Sequence, residues 1–270
     1  MSDVSKTKRI FIASHPQSRS TALFMSLCQF RNAVGILEPF ADAFFLGPHS
    51  KSQEMKKIVG CDKGKSVERW KKHCIDLTAD IVVVKDHALF LGEDFDFIIE
   101  NFIIVFIVRS PHLAFTSDTF AESDLKLEDF IEIYESFDIS MAKSYDMSLD
   151  LFRKSRRCSS FEPLLITSAE LIEKPCDTIK KVCNWAQLPY SENLLCWDYS
   201  REMSLNISLP DLTVFFLENN VYFKKCLESK GLNSGKERIV QEVDFVPYFR
   251  KALATSLECY DEILRINQCN

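Results

Sequence analysis

The chain carries no excess of positive charge. In 270 residues, 33 lysines and arginines stand against 39 aspartates and glutamates, a net of −6. That balance argues against nucleic-acid partners, and no stretch forms a dedicated DNA-binding face. There is no C-x-x-C pair among the ten cysteines. A chain of this length buries a core large enough to need no disulfide framework, so the cysteines read as mostly reduced, buried thiols of a cytoplasmic protein. The opening MSDVSKTKR is polar and has no apolar leader core. The most apolar run, Ile98 to Val108, contains Glu100 and Asn101 and is too short to span a bilayer, so no membrane is expected and the run reads as a central strand. Internal repeats, low-complexity tracts and linkers are missing, and no His/Asp/Glu cluster suggests a metal. An intact Walker A loop is missing too. Gly60-Cys-Asp-Lys-Gly64-Lys65-Ser66 places three residues between its glycines where the P-loop needs four, and it follows a charged, helix-like EMKKIV.

What is present is a globular composition, 46% hydrophobic and 27% charged. It reads as a single domain over 1–270, with a motif-bearing core of about 9–190 and a mainly helical part of about 191–270. The stretch RIFIASHPQSRSTALFMSLCQF, from Arg9, runs from a buried strand through a Pro/Ser/Arg loop into a helix that Ser20 or Thr21 would cap, with Leu23, Phe24, Leu27 and Phe30 on one side. Residues 32–48 read as an aromatic loop folded over that unit, with Glu38 its one strongly polar group. Ile81–Val84 is a β-branched run of the kind buried in a parallel strand. Phe102–Val108 repeats it, Pro111 suits a helix's first turn, Pro163–Thr167 is a further short strand, and Pro175 starts a helix. Residues 51–73 carry eight cations against three acids, a lid or a solvated helix face. Residues 118–138 carry eight carboxylates against Lys126 and read as a surface helix. A last amphipathic helix runs from about Pro247 to Ile266. Alternating strands and helices imply an α/β fold, a central parallel sheet with helices on both faces.

Three strand ends carry anion-binding or titratable groups. A strand, tight loop and helix form an anion site, because the first helical N–H groups lack partners and the dipole's positive end faces the loop. Ser18, Ser20 and Thr21 add hydroxyl donors and Arg19 a planar cation. Lys85 and His87 close the second strand, and Arg109 closes the third.

These motifs together resemble the sulfotransferases that use 3′-phosphoadenosine 5′-phosphosulfate (PAPS). Pro16-Gln17-Ser18-Arg19-Ser20-Thr21 is similar to the family's 5′-phosphosulfate loop, P-[RK]-S-G-[ST]-T. Arg109, Ser110-Pro111 and Ser117 are similar to its 3′-phosphate element, an Arg closing a strand and a Ser eight residues on. Lys85-Asp86-His87 resembles the K-x-H of cytosolic members, and LLITSAELIEKPCDTIKKVCNWAQLPY resembles a later strand, turn and Pro-started helix. The likeness covers roughly residues 9–190 and implies a P-loop, sulfotransferase-like fold. It also implies a cytoplasmic enzyme that moves a sulfuryl group from PAPS to a hydroxyl or amine of a small molecule. Gln17, Ser18, Arg19, Ser20, Thr21, Arg109 and Ser117 would bind the cofactor, Lys85 would add a cation and His87 would act as base. The chain departs from the pattern at Gln17, where the family has Arg or Lys, and at Arg19, where it has Gly. Thr167-Ser168 stands where many members place a Tyr, and only Lys236 and Arg238 after Gly235 stand for a basic C-terminal loop. A catalytically silent nucleotide- or partner-binding relative, and an ATP-dependent small-molecule kinase, are the alternatives. The oligomeric state, a homodimer included, is left open.

Overall fold

The computed structural model describes residues 7–50, 64–92, 94–115, 140–197, 206–214, 226, 229–237 and 247–268. Its core is a parallel sheet of strands β1 (Lys8–Ser14), β2 (Ala33–Leu37), β3 (Ile81–His87), β4 (Ile103–Val108), β5 (Leu164–Thr167) and the short β6 (Ile207–Ser208), in the order β5-β4-β1-β3-β2-β6. The strands are apolar almost throughout because both faces are covered.

Alternation along each strand divides the core in two. Phe11, Ala13, Val82, Val84, Ile104 and Phe106 face one layer. That layer is built from α2 (Pro39–Leu46), α5 (Phe95–Asn101), α7 (Met141–Cys158) and α10 (Pro247–Gln268). Ile10, Ile12, Ile81, Val83, Val105 and Ile107 face the opposite layer, built from α1 (Ser20–Leu27) and α9 (Pro175–Trp185). The first layer also takes α3 (Val67–Asp76), α4 (Ala88–Leu91) and α6 (Pro111–Phe115), and the opposite layer α8 (Ser168–Glu173).

Several expectations need correction. Residues 32–48 are not a loop: they form β2 and α2. Ala-Val-Gly-Ile-Leu is short but β-competent, Pro39 pre-sets the first helical turn, and Gly35 lets α1 approach closely, since a Cβ there would lie 2.7 Å from Phe24 Cζ. Ile98–Asn101 closes α5 instead of opening a strand. Cys74, Cys183 and Cys259 are buried free thiols, but Cys158 and Cys196 are exposed. The amphipathic α7, with Tyr145, Leu149, Leu151 and Phe152 buried, was not singled out in the sequence. The acidic 118–138 segment and most of the basic one lie outside the described residues. So does half of the Walker-like stretch; of the rest, Ser66 caps α3 and Lys65 pairs with Asp211 at 2.5 Å and Asp42 at 3.8 Å, so its ammonium is a structural clasp. Among the described residues, no helix is long and apolar enough to cross a membrane.

Candidate functional site

The strand order reverses direction at β1, whose neighbours β3 and β4 lead away on opposite sides. In an open parallel sheet that is where a crevice forms beyond the carboxyl ends. Along this rim lie, in spatial order, Ser168 after β5, Arg109 after β4, residues 15–21 after β1, Lys85 to His87 at the end of β3 and Glu38 after β2. Lys85 and His87 are two residues apart in a strand, so both point to the α1 face, and Asp86 points to the α2 face. Gln17, Ser18, Arg19, Ser20, Thr21, Lys85, His87 and Arg109 all stand on the rim; Ser117 lies outside the described residues.

The loop reaches its shape without glycine. Gln17 (φ 62°) and Arg19 (φ 65°) are left-handed, which costs a non-glycine residue about 1–2 kcal/mol each. Arg19, not Ser20 or Thr21, is the N-cap, and its side chain makes no capping bond; Ser20 is the first helical residue. The Ser18 hydroxyl is buried with no hydrogen-bond partner. A buried, unpaired donor costs about 1–3 kcal/mol. Placed at a helix head whose first N–H groups have no intrahelical acceptor, it fits an oxyanion. The loop therefore offers its donors to an oxyanion such as a phosphate or a sulfonate.

At the end of β3 the side chains form one network. The Lys85 ammonium, 1% exposed, donates to Glu38 Oε1, which is also 3.4 Å from His87 Nε2. Ser14 Oγ donates its single proton to the Asp86 carbonyl at 3.1 Å, so it accepts at 3.0 Å from His87 Nδ1. The imidazole proton thus sits on Nδ1, leaving Nε2 with its lone pair. Burial, helped by the Lys85 charge, holds the His87 pKa below its ordinary value, so the ring is neutral near pH 7. Burial alone would raise the Glu38 pKa, but the Lys85 charge overcomes it and brings it to about 2. Glu38 is itself left-handed at φ 60°, a strain that fits a residue positioned by its partners. Asp86 accepts from Phe40 N at 2.6 Å, Ala41 N at 3.3 Å and His87 N at 2.8 Å, fastening α2 to β3. Burial, reinforced by nearby Glu38, pushes its pKa up to about 8.

Arg109 is fixed by residues that sequence reading missed. His15 donates from Nδ1 to Pro16 O at 2.8 Å, accepts the Arg109 N–H on Nε2 at 3.0 Å and stacks on Tyr145 at 4.0 Å. Its burial drives the pKa down to about 3. Tyr145 Oη donates to Arg109 O at 2.7 Å. The guanidinium donates to Gln17 O at 3.2 Å and, through Nε, to Glu237 at 2.6 Å. A strand-terminal His was visible in the sequence at 15, and Glu237 follows the Gly231–Gly235 turn, but neither residue carried a motif. Phe44, Phe45 and Phe90 form an aromatic cluster with ring centroids 5.1–5.4 Å apart, and Phe90 lies 5.5 Å from the His87 ring.

The amino-acid sequence matches no family model and no curated protein. Among solved structures, the sulfotransferase domain of the Synechococcus PCC 7002 olefin synthase aligns with a TM-score of 0.52 at 12% identity, over 94% of this chain and 96% of that domain. The sulfotransferase domain from the curacin biosynthetic pathway gives 0.49 at 15% identity, over 92% and 97%. Mouse sulfotransferase SULT7A1 complexed with PAP gives 0.46 at 16%, over 96% and 86%. The chain has a sulfotransferase-like P-loop fold.

Proposed function

We propose that the protein transfers a sulfuryl group from PAPS to a hydroxyl or amine of a small molecule. The observation that carries the reading is the buried, unpartnered Ser18 hydroxyl at the head of α1, in the loop after β1 on the same rim as Lys85 and His87. When bound, PAPS supplies a sulfuryl group already activated on a phosphate. Ser18, Ser20, Thr21 and the first N–H groups of α1 hold the 5′-phosphosulfate, with Gln17 and Arg19 in the same loop. Arg109, with Ser117 as its expected companion, holds the 3′-phosphate. Lys85 supplies positive charge where negative charge develops. His87 Nε2 takes the proton of the acceptor, and Glu38, 3.4 Å away, stabilises the imidazolium that results. The aromatic cluster beside His87 supports an apolar acceptor.

The charge pairing of Lys85 with Glu38 and the uncharged Gln17 favour a second reading, a silent nucleotide binder. One measurement tests for a nucleotide site and a second separates the two readings. A thermal shift with 3′-phosphoadenosine 5′-phosphate (PAP) but not with ATP is expected under both and excludes a kinase. Sulfated product by mass spectrometry, lost in His87→Ala, is expected only under the first.

A further inference from the structure

We infer that Glu237 is an internal occupant of the anion subsite at Arg109, which a 3′-phosphorylated nucleotide must clear in order to bind. This rests on the reading of the 15–21 loop and Arg109 as the two ends of one nucleotide site. Donors from three different elements converge on this one carboxylate. Arg109 Nε, after β4, donates to Oε1 at 2.6 Å; Ser168 Oγ, at the head of α8, donates to Oε1 at 3.1 Å and lies 3.3 Å from Oε2; Arg19 Nε, from the loop, lies 3.9 Å from Oε1. The Arg109 and Glu237 side chains are 7% and 8% exposed, so the pair is largely removed from water. A guanidinium, a hydroxyl and a second guanidinium around a planar pair of oxygens is the donor set that a phosphate takes.

The carboxylate is held in place by its own segment. Leu232 N donates to Leu195 O at 2.8 Å and Gly235 N to Ile172 O at 3.0 Å, which brings residues 231–237 to the β5 side of the rim. Two anions cannot share Arg109 at contact distance without strong repulsion. Nucleotide therefore binds only to the fraction of molecules in which Glu237 has let go, and its apparent affinity falls by that fraction. A nucleotide bearing only a 5′-phosphate engages the loop and does not compete with Glu237. Glu237 thus lowers the preference of the site for a nucleotide that carries a 3′-phosphate over one that does not.

Titration calorimetry of the full chain with PAP and with adenosine 5′-monophosphate (AMP) tests this. Glu237→Gln removes the charge and keeps an acceptor; Glu237→Ala removes both and gives a second reading if the Gln variant does not fold. Losing a charge-assisted bond in favour of a neutral one is expected to tighten PAP by about tenfold, with AMP unchanged. If AMP binds and PAP binds the variants no more tightly than the parent, Glu237 is a structural clasp and the inference falls alone. If the parent and both variants bind neither nucleotide, the loop is no nucleotide site and the proposed function falls with it.

Discussion

Replacing Glu38 by Gln removes one member of a buried ion pair and leaves the Lys85 ammonium, 1% exposed, without its counter-charge. Breaking such a pair from one side costs about 3–5 kcal/mol. The amide oxygen of Gln still accepts from Lys85, so the low end, about 3 kcal/mol, is expected. For a chain of this size that corresponds to roughly 6 °C in Tm. Glu38→Gln/Lys85→Met replaces both charges and is expected to recover most of the loss, because removing the pair together also removes its desolvation cost. The pH dependence has a fixed sign. Glu38 is held at about 2 against an ordinary 4.5, so its contribution is complete above about 4.5 and disappears as pH falls towards about 2. The gap between parent and Glu38→Gln therefore narrows across that window. Urea unfolding at pH 7 and thermal scans from pH 7 to 3 measure both. A loss below about 1 kcal/mol, the range of a surface pair, or a double variant as unstable as the two single losses added together, refutes the account of this network.

Ser18→Ala removes a buried hydroxyl that lacks a partner, so differential scanning is expected to show a free protein unchanged or stabilised by up to about 1 kcal/mol. The same variant is expected to lose about fivefold in PAP affinity, and a loss of stability without loss of affinity would show that the hydroxyl serves the fold alone. His15 stays neutral in the folded chain down to about 3, whereas unfolding restores its ordinary 6.5. Stability therefore falls on acidification from about 6.5 towards 3, by about 1.4 kcal/mol per pH unit for one proton. His15→Gln, which keeps an acceptor for the Arg109 N–H, is expected to flatten that slope in pH-dependent unfolding; an unchanged slope places the titrating group elsewhere.

The parts of the site that could be read in advance share one property: local pattern placed them. Ile81–Val84 is β-branched and the following K-x-H has period two, so Lys85 and His87 share a face once the strand exists. A strand followed by Pro16-Gln17-Ser18 and a helix makes the strand–loop–helix unit at the rim, and Pro111 marks the turn that follows Arg109. Residues placed by distant contacts were not legible. Glu237 meets Arg109 across 128 positions and Lys85 meets Glu38 across 47, and no local signal encodes either meeting. The capping error at α1 has a different cause. Ser20 and Thr21 have cap-forming side chains, but the left-handed turn at Arg19 moved the helix start by one residue. The loop expected at 32–48 became β2 and α2 because sheet pairing with β3 and packing beneath α1 outweighed its Gly and Pro.

The most direct test of the central claim is transfer of labelled sulfate. The protein is incubated with sulfur-labelled PAPS and a metabolite extract, and labelled small molecules are separated and counted for the parent and for His87→Ala. The account predicts a labelled product from the parent and its loss in a folded His87→Ala that still binds PAP. A parent that binds PAP and labels nothing, or a His87→Ala variant that labels at the parent's rate, contradicts it.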